Sequence, residues 1–114
     1  MKGLKFLGRQ FFSMKKFVIF LFIWISFSQA NAEEKMKLGL EVYNNKAQCG
    51  TCHALKAANS NGEIGPNLDQ IKPQMSQIII AVTNGIGVMP PWEGILTKEE
   101  IEAVAHYVFN STNN

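Results

Sequence analysis

Cys49-Gly50-Thr51-Cys52-His53 constrains this chain more than any other stretch, because it ties three reactive side chains to one short turn. No other cysteine is present, so no further disulfide can staple the fold. The spacing lets two thiols reach the two vinyl groups of one porphyrin while the adjacent imidazole reaches the iron. The stretch therefore reads as a covalent haem attachment site, with Cys49 and Cys52 as tethers and His53 as the proximal iron ligand. A neutral imidazole binds iron through one nitrogen, and the other usually donates to a backbone carbonyl that fixes the ring.

Three other chemistries use cysteines at this spacing. A thioredoxin-like pair should follow a strand and open a long helix in a βαβ setting, which the sequence lacks. A zinc site could combine Cys49, Cys52 and the distant His106, but its fourth ligand would be missing or would be His53, crowded beside Cys52. A structural disulfide between the two cysteines is rare.

The residues before the motif divide the chain. No acidic residue precedes Glu33, and Lys2, Lys5, Arg9, Lys15 and Lys16 make the start basic. Phe17 to Phe27 is then apolar throughout except for Ser26, and Ala30-Asn31-Ala32 puts small residues where a signal peptidase reads. That order of parts predicts a signal peptide over residues 1–32, cleaved after Ala32, a single working domain over residues 33–114, and a periplasmic location. Met14 is an alternative start, since Met14-Lys15-Lys16 makes an adequate n-region. The apolar run is shorter than the roughly 20 residues that span a bilayer, so no stable membrane insertion is expected after cleavage.

Cleavage changes the electrostatics. The formal charge of the whole chain is +2, but five of its eleven basic residues lie in the leader. The 82 residues that follow position 32 keep six lysines against nine acids, a formal charge of −3. That balance excludes nucleic acid as a partner. A chain of this length is close to the size at which one apolar core becomes marginal. Only Tyr43, Trp92, Tyr107 and Phe109 remain as aromatics after the leader, and a buried haem would supply the missing core.

Hydrophobic periodicity predicts a small all-α domain. A first helix is expected over Glu33 to Asn44, with Met36, Leu40 and Tyr43 at helical spacing. Ala57 to Pro66 reads as a loop. A second helix is expected over Gln74 to Thr83, started by Pro73, with Met75, Ile78, Ile79 and Val82 as its apolar stripe. Asn84 to Pro91 carries two glycines and two prolines and cannot be regular helix. Thr97 with Glu100 forms a capping box before Ile101, Val104, Ala105 and Val108, which predicts a last helix. Ser111 to Asn114 reads as a frayed tail, and no strand pattern is evident.

The sixth iron ligand must come from Met36, Met75, Met89 or His106. Met36 and Met75 sit on apolar helical stripes and read as core filler. His106 lies within the last helix beside Tyr107 and reads as a partly exposed helix residue. Met89 sits in a Gly/Pro loop stiffened by Pro90 and Pro91, free of helix constraints, and is the expected axial ligand. Lys46 and Lys56 flank the haem motif and read as solvated surface or as steering charges for a partner. Glu99, Glu100 and Glu102 suit a helix N-terminus.

Taken in order, these elements resemble the class I c-type cytochromes over residues 36–109. Gly39 and Tyr43 look like the pair through which that family packs its first helix on its last. Gly65-Pro66-Asn67-Leu68 resembles the segment whose proline carbonyl accepts the histidine proton and whose leucine packs on the ring. Val88-Met89-Pro90 resembles the axial methionine segment, and Val104 and Tyr107 fall where the last helix meets haem and first helix. The resemblance implies a cytochrome c domain with one covalent haem c, bound by Cys49, Cys52, His53, Pro66, Leu68 and Met89, with iron on His53 and Met89. One departure is the spacing from Tyr43 to Cys49, which is slightly longer than usual. Residues 62–69, Lys72-Pro73 and residues 84–90 resemble, more narrowly, cytochromes that serve bacterial sulfite dehydrogenases, as a subunit of the molybdenum enzyme or as its soluble acceptor. The expectation is thus a one-electron carrier and not an enzyme in itself, with redox proteins as donor and acceptor. The competing reading is a haem c enzyme or gas-binding sensor with an open sixth site, which needs a distal acid–base group that only His106 could supply.

Overall fold

No proline interrupts the chain before Pro66. In the computed structural model, which describes residues 2–114 with side chains for residues 15–23 and 29–114, the chain opens with helix α1 over Lys2–Glu41. Met1 and the side chains of Lys2, Lys5, Arg9 and Met14 lie outside the described residues. The backbone divides into two compact units, Met1–Glu33 and Glu34–Asn114. In the first, Phe17 to Ile23 are exposed on the helix. No helix among the described residues is long and apolar enough to cross a membrane.

The second unit carries the chemistry. The last turns of α1 run into a π-helical turn, Val42–Lys46, closed by the Ala47 amide on the Val42 carbonyl at 2.9 Å. The sequence led us to expect a plain helix from Glu33 to Asn44, and the wider turn has a physical reason. A π turn inserts one extra residue into a helix, and here it absorbs the extra spacing between Tyr43 and Cys49. It also lets Val42 and Tyr43, consecutive residues, both point inward with no exposed surface. Gln48 then takes a left-handed conformation, φ 49°, to start the Cys49–Thr51 turn.

Ala54–Leu55 (β1) and Ser60–Asn61 (β2) pair antiparallel, two residues each, around a 3₁₀ turn at Lys56–Ala58. This hairpin lies partly in the expected loop; strands this short leave no alternation to detect. Helix α2, Leu68–Ile71, is capped by the Asn67 side chain, which accepts the Gln70 amide. Helix α3 is Met75–Asn84, one residue later at each end than its pattern suggested. Gln74 and not Pro73 begins it, through a reciprocal cap with Gln77. Ile78 and Val82 are buried, Met75 and Ile79 pack partly buried against them, and Ile80 faces solvent.

Helix α4, Lys98–Asn113, starts at the Thr97 capping box, whose two bonds measure 3.2 and 2.9 Å. It extends through the tail expected to fray. Thr112 is buried and its hydroxyl donates to the Val108 carbonyl at 3.0 Å, while the Asn113 amide donates to the Phe109 carbonyl. Side-chain bonds to carbonyls one turn back complete the last turn.

Ile101, Val104, Ala105, Tyr107 and Val108 of α4 join Val42, Tyr43, Leu55, Leu68, Ile78, Val82 and Leu96 in one core. Gly39 lets α1 meet α4 closely. A Cβ there would overlap the Ala103 carbonyl and lie 2.5 Å from Tyr107 Cβ. One turn on, the Tyr43 and Tyr107 rings pack with centroids 5.9 Å apart and planes tilted by 57°, a favoured aromatic geometry. The fold is the small helical one that the sequence resemblance implied, with the attachment turn held between the end of α1 and the β-hairpin.

Candidate functional site

The attachment turn is a hydrogen-bonded unit. The Cys49 carbonyl accepts the amides of Cys52 (3.1 Å) and His53 (2.9 Å), which brings both sulfurs and the imidazole onto one turn. Cys49 and Cys52 are free thiols, each half-buried, so they are not spent on a disulfide. Burial pushes the Cys49 thiol up to about 11.

His53 is locked by the segment that follows. Its Nδ1 lies 2.8 Å from the Pro66 carbonyl. A carbonyl oxygen can only accept, so Nδ1–H donates and Nε2 remains for iron. The Gly65 amide donates to the Cys52 carbonyl at 2.7 Å and draws the same segment onto the turn. Gly65 lies against the imidazole face so closely that a Cβ would sit 2.5 Å from His53 Cε1 and 2.8 Å from Nδ1. Gly62 is as tight on the backbone, 2.5 Å from the Cys52 carbonyl carbon and 2.6 Å from the His53 nitrogen were it to carry a Cβ. Leu68, on α2, is buried in the core.

Met89 closes a tight turn in which Ile86 and Met89 exchange both backbone hydrogen bonds, at 3.1 and 2.9 Å. Gly85, at φ 73°, takes a conformation few other residues adopt, and a Cβ there would meet the Met89 carbonyl at 2.6 Å. Met89 is half-buried and packs against the same core as Cys49, as do Met36 and Met75 from their helices. His106 sits within α4, bonded through its carbonyl to the Asn110 amide at 2.7 Å, with that amide also 3.3 Å from its Nδ1. Among the described residues no three of His, Cys, Asp or Glu gather into a metal cluster, so Cys49, Cys52 and His106 do not form the zinc alternative.

These residues fit a haem. Two free thiols and an imidazole share a turn, the second imidazole nitrogen is already satisfied, and glycines leave room at the ring face. Ile64, Ile86 and Val88 are 69%, 65% and 86% exposed beside the two ligand segments. A bound apolar group accounts for such side chains next to a buried core.

Sequence reasoning did not single out Ser60, and it named Gly62 and Asp69 only as part of the 62–69 resemblance, with no role of their own. The Ser60 hydroxyl lies 3.0 Å from the Tyr43 hydroxyl and accepts the Leu55 amide at 3.0 Å. Asp69 accepts the Lys56 amide at 2.7 Å, tying α2 to the hairpin. Asn67, before Leu68-Asp69, is of a residue type that caps helices, and that signal could have marked the start of α2. Lys46, considered as a steering charge, is ion-paired with Glu100 at the start of α4. The pair raises the lysine above its ordinary value and holds the glutamate below its own. Lys46 is therefore part of the α1–α4 junction and not a free positive charge.

A small helical domain with two thiols and a carbonyl-locked histidine on one turn defines a haem-binding electron-transfer protein. The family described as cytochrome C oxidase, cbb3-type, subunit III matches residues 34–108. The crystal structure of the c-type cytochrome SorU from Sinorhizobium meliloti is similar, at 49% identity and a TM-score of 0.67, over 70% of this chain and 93% of that one. Cytochrome c6 of Tetradesmus obliquus is 33% identical over 88 residues, 68% of this chain and 92% of the relative. Chloroplastic cytochrome c6 of Chlamydomonas reinhardtii is 33% identical over 89 residues, and the match spans 56% of that longer relative. The chain belongs to the class I c-type cytochromes and carries one covalently bound haem c.

Proposed function

We propose that this cytochrome is a periplasmic one-electron carrier whose iron is held by His53 and Met89, with residues 1–32 removed on export. The observation that carries the reading is the His53–Pro66 lock at 2.8 Å, which leaves the other imidazole nitrogen for iron. When bound, haem c supplies a ferric/ferrous couple that takes up and releases a single electron. The residues of the chain set how that couple behaves. The Pro66 carbonyl makes the imidazole more basic, and a thioether from Met89 favours the ferrous state and raises the potential. The Ile86–Met89 turn and Pro90-Pro91 hold that thioether on a stiff segment, which limits rearrangement between oxidation states. With His53 and Met89 both holding the iron, no site would be left for a substrate.

The donor in this proposal is a molybdenum sulfite dehydrogenase, and the acceptor is a downstream redox protein. Support comes from the segments at 62–69 and 84–90, which resemble cytochromes serving such enzymes, and from the 49% identity to the SorU cytochrome. Rapid mixing of the oxidised protein with a bacterial sulfite dehydrogenase and sulfite tests the assignment. The account expects reduction of the haem within the turnover time of the enzyme. Haem that stays oxidised under those conditions, while a different dehydrogenase reduces it, would remove the sulfite assignment and leave the carrier reading in place.

A further inference from the structure

Behind the attachment turn, a pair of hydroxyls joins two backbone segments that the sequence keeps apart. The Tyr43 side chain has no exposed surface, and its hydroxyl lies 3.0 Å from Ser60 Oγ and a long 3.5 Å from the His53 carbonyl oxygen. Ser60 Oγ in turn accepts the Leu55 amide at 3.0 Å and lies 3.4 Å from the Leu55 carbonyl. When Ser60 donates to Tyr43, the tyrosine proton is directed at the His53 carbonyl. When Tyr43 donates to Ser60, the serine proton turns to the Leu55 carbonyl. Both orders tie the π turn to Leu55 through Ser60, and the first also bonds it to the His53 carbonyl. The fit is close elsewhere too, since a Cβ on Gly50 would be 2.7 Å from Ser60 Cβ. Packing of the aromatic ring against α4 requires no hydroxyl, and a phenylalanine would fill the same space. The hydroxyls thus serve something other than the helix contact.

We propose that Tyr43 and Ser60 are a positioning pair for the proximal ligand: they fix the backbone of His53 from behind while Pro66 fixes its ring from the side. This inference rests on the reading of His53 as the iron ligand. The two restraints act on one residue, so slack in the first loosens the second. Without the hydroxyl pair, the Nδ1–H to Pro66 bond lengthens and the imidazole becomes a weaker donor. The ferric state loses stabilisation and the potential rises.

The test uses the haem-loaded protein with Tyr43→Phe, Ser60→Ala and the double variant, and Thr112→Ala as a control. Thr112→Ala removes a buried hydroxyl bond of α4 far along the chain from the turn. Two readouts are taken, the reduction potential and the exchange rate of the His53 Nδ1 proton by nuclear magnetic resonance. Each single variant is expected to shift the reduction equilibrium towards the ferrous state by roughly two- to tenfold, the range spanned by one net hydrogen bond. Each should also speed exchange of the Nδ1 proton. The double variant should match the larger single, because the two groups act as one unit. Thr112→Ala should lose stability with potential and exchange unchanged. If Tyr43→Phe fails to take up haem, Ser60→Ala decides alone, since Ser60 is half-buried and outside the core. A low-spin haem spectrum with unchanged potential and exchange in the variants overturns the positioning pair and leaves the carrier reading intact. Absence of haem from the wild-type protein overturns both.

Discussion

Replacing Gly65 by alanine would strike the proximal ligand directly. The added methyl would stand 2.5 Å from His53 Cε1 and 2.8 Å from Nδ1, where ordinary contacts lie near 3.5 Å or more. About 1 Å of movement is therefore needed. The ring cannot simply swing away, because Pro66, the next residue, holds its Nδ1 at 2.8 Å. The loop cannot lift freely either, because the Gly65 amide is bonded to the Cys52 carbonyl at 2.7 Å. Overpacking of this kind costs about 1–3 kcal/mol, and a strained or lost hydrogen bond adds about 1 kcal/mol. The sum, about 2–4 kcal/mol, corresponds to a fall in Tm of roughly 10–30 °C for a domain of this size. The assay is thermal unfolding of the haem-loaded protein followed by Soret absorption, with voltammetry on the same samples. The potential should rise as the imidazole loses its acceptor. A Tm within about 3 °C of the wild type, with an unchanged potential, would refute the reasoning that Gly65 and Pro66 act together on His53.

Further outcomes follow from the same geometry. Gly39→Ala forces a Cβ into the Ala103 carbonyl and Tyr107 Cβ; it should separate α1 from α4 and cost about 1–3 kcal/mol in denaturant unfolding. Lys46 holds Glu100 below its ordinary value of 4.5, so the pair contributes stability above that pH and loses it as pH falls through the lowered value of the folded state. Lys46→Met should therefore lower Tm at neutral pH, with the two Tm curves converging in acid. Cys49→Ala with Cys52→Ala removes both tethers, and the chain should become protease-sensitive with weak helical circular dichroism, because haem completes an otherwise marginal core.

Much of this protein was legible because its chemistry is local in sequence. The two thiols and the imidazole occupy five consecutive residues, and the Thr97–Glu100 cap spans four, so spacing alone identifies them. The His53–Pro66 contact was expected from the family resemblance, and the structure supplies its 2.8 Å length. What escaped depends on partners distant in sequence or on backbone adjustments without a residue signature. The π turn at Val42–Lys46 is marked by no residue type that distinguishes it from an ordinary helix end. The last turn of α4 persists because Thr112 is buried, although Ser111 to Asn114 is polar throughout. Ser60 reads as a loop residue until the hairpin folds it under the turn. Lys46 looked like a free charge beside the motif because its partner, Glu100, lies 54 residues away.

Ligation of the iron by Met89 would be visible in the near-infrared spectrum of the oxidised protein. A thioether on ferric haem gives a weak sulfur-to-iron charge-transfer band alongside a low-spin spectrum. That band is expected in the wild type and in Met75→Leu, with its loss in Met89→Ala together with a lower potential and new binding of carbon monoxide. A wild-type protein that lacks the band, is high-spin and binds carbon monoxide readily would contradict the claim and make the site that of a gas-binding or enzymatic haem.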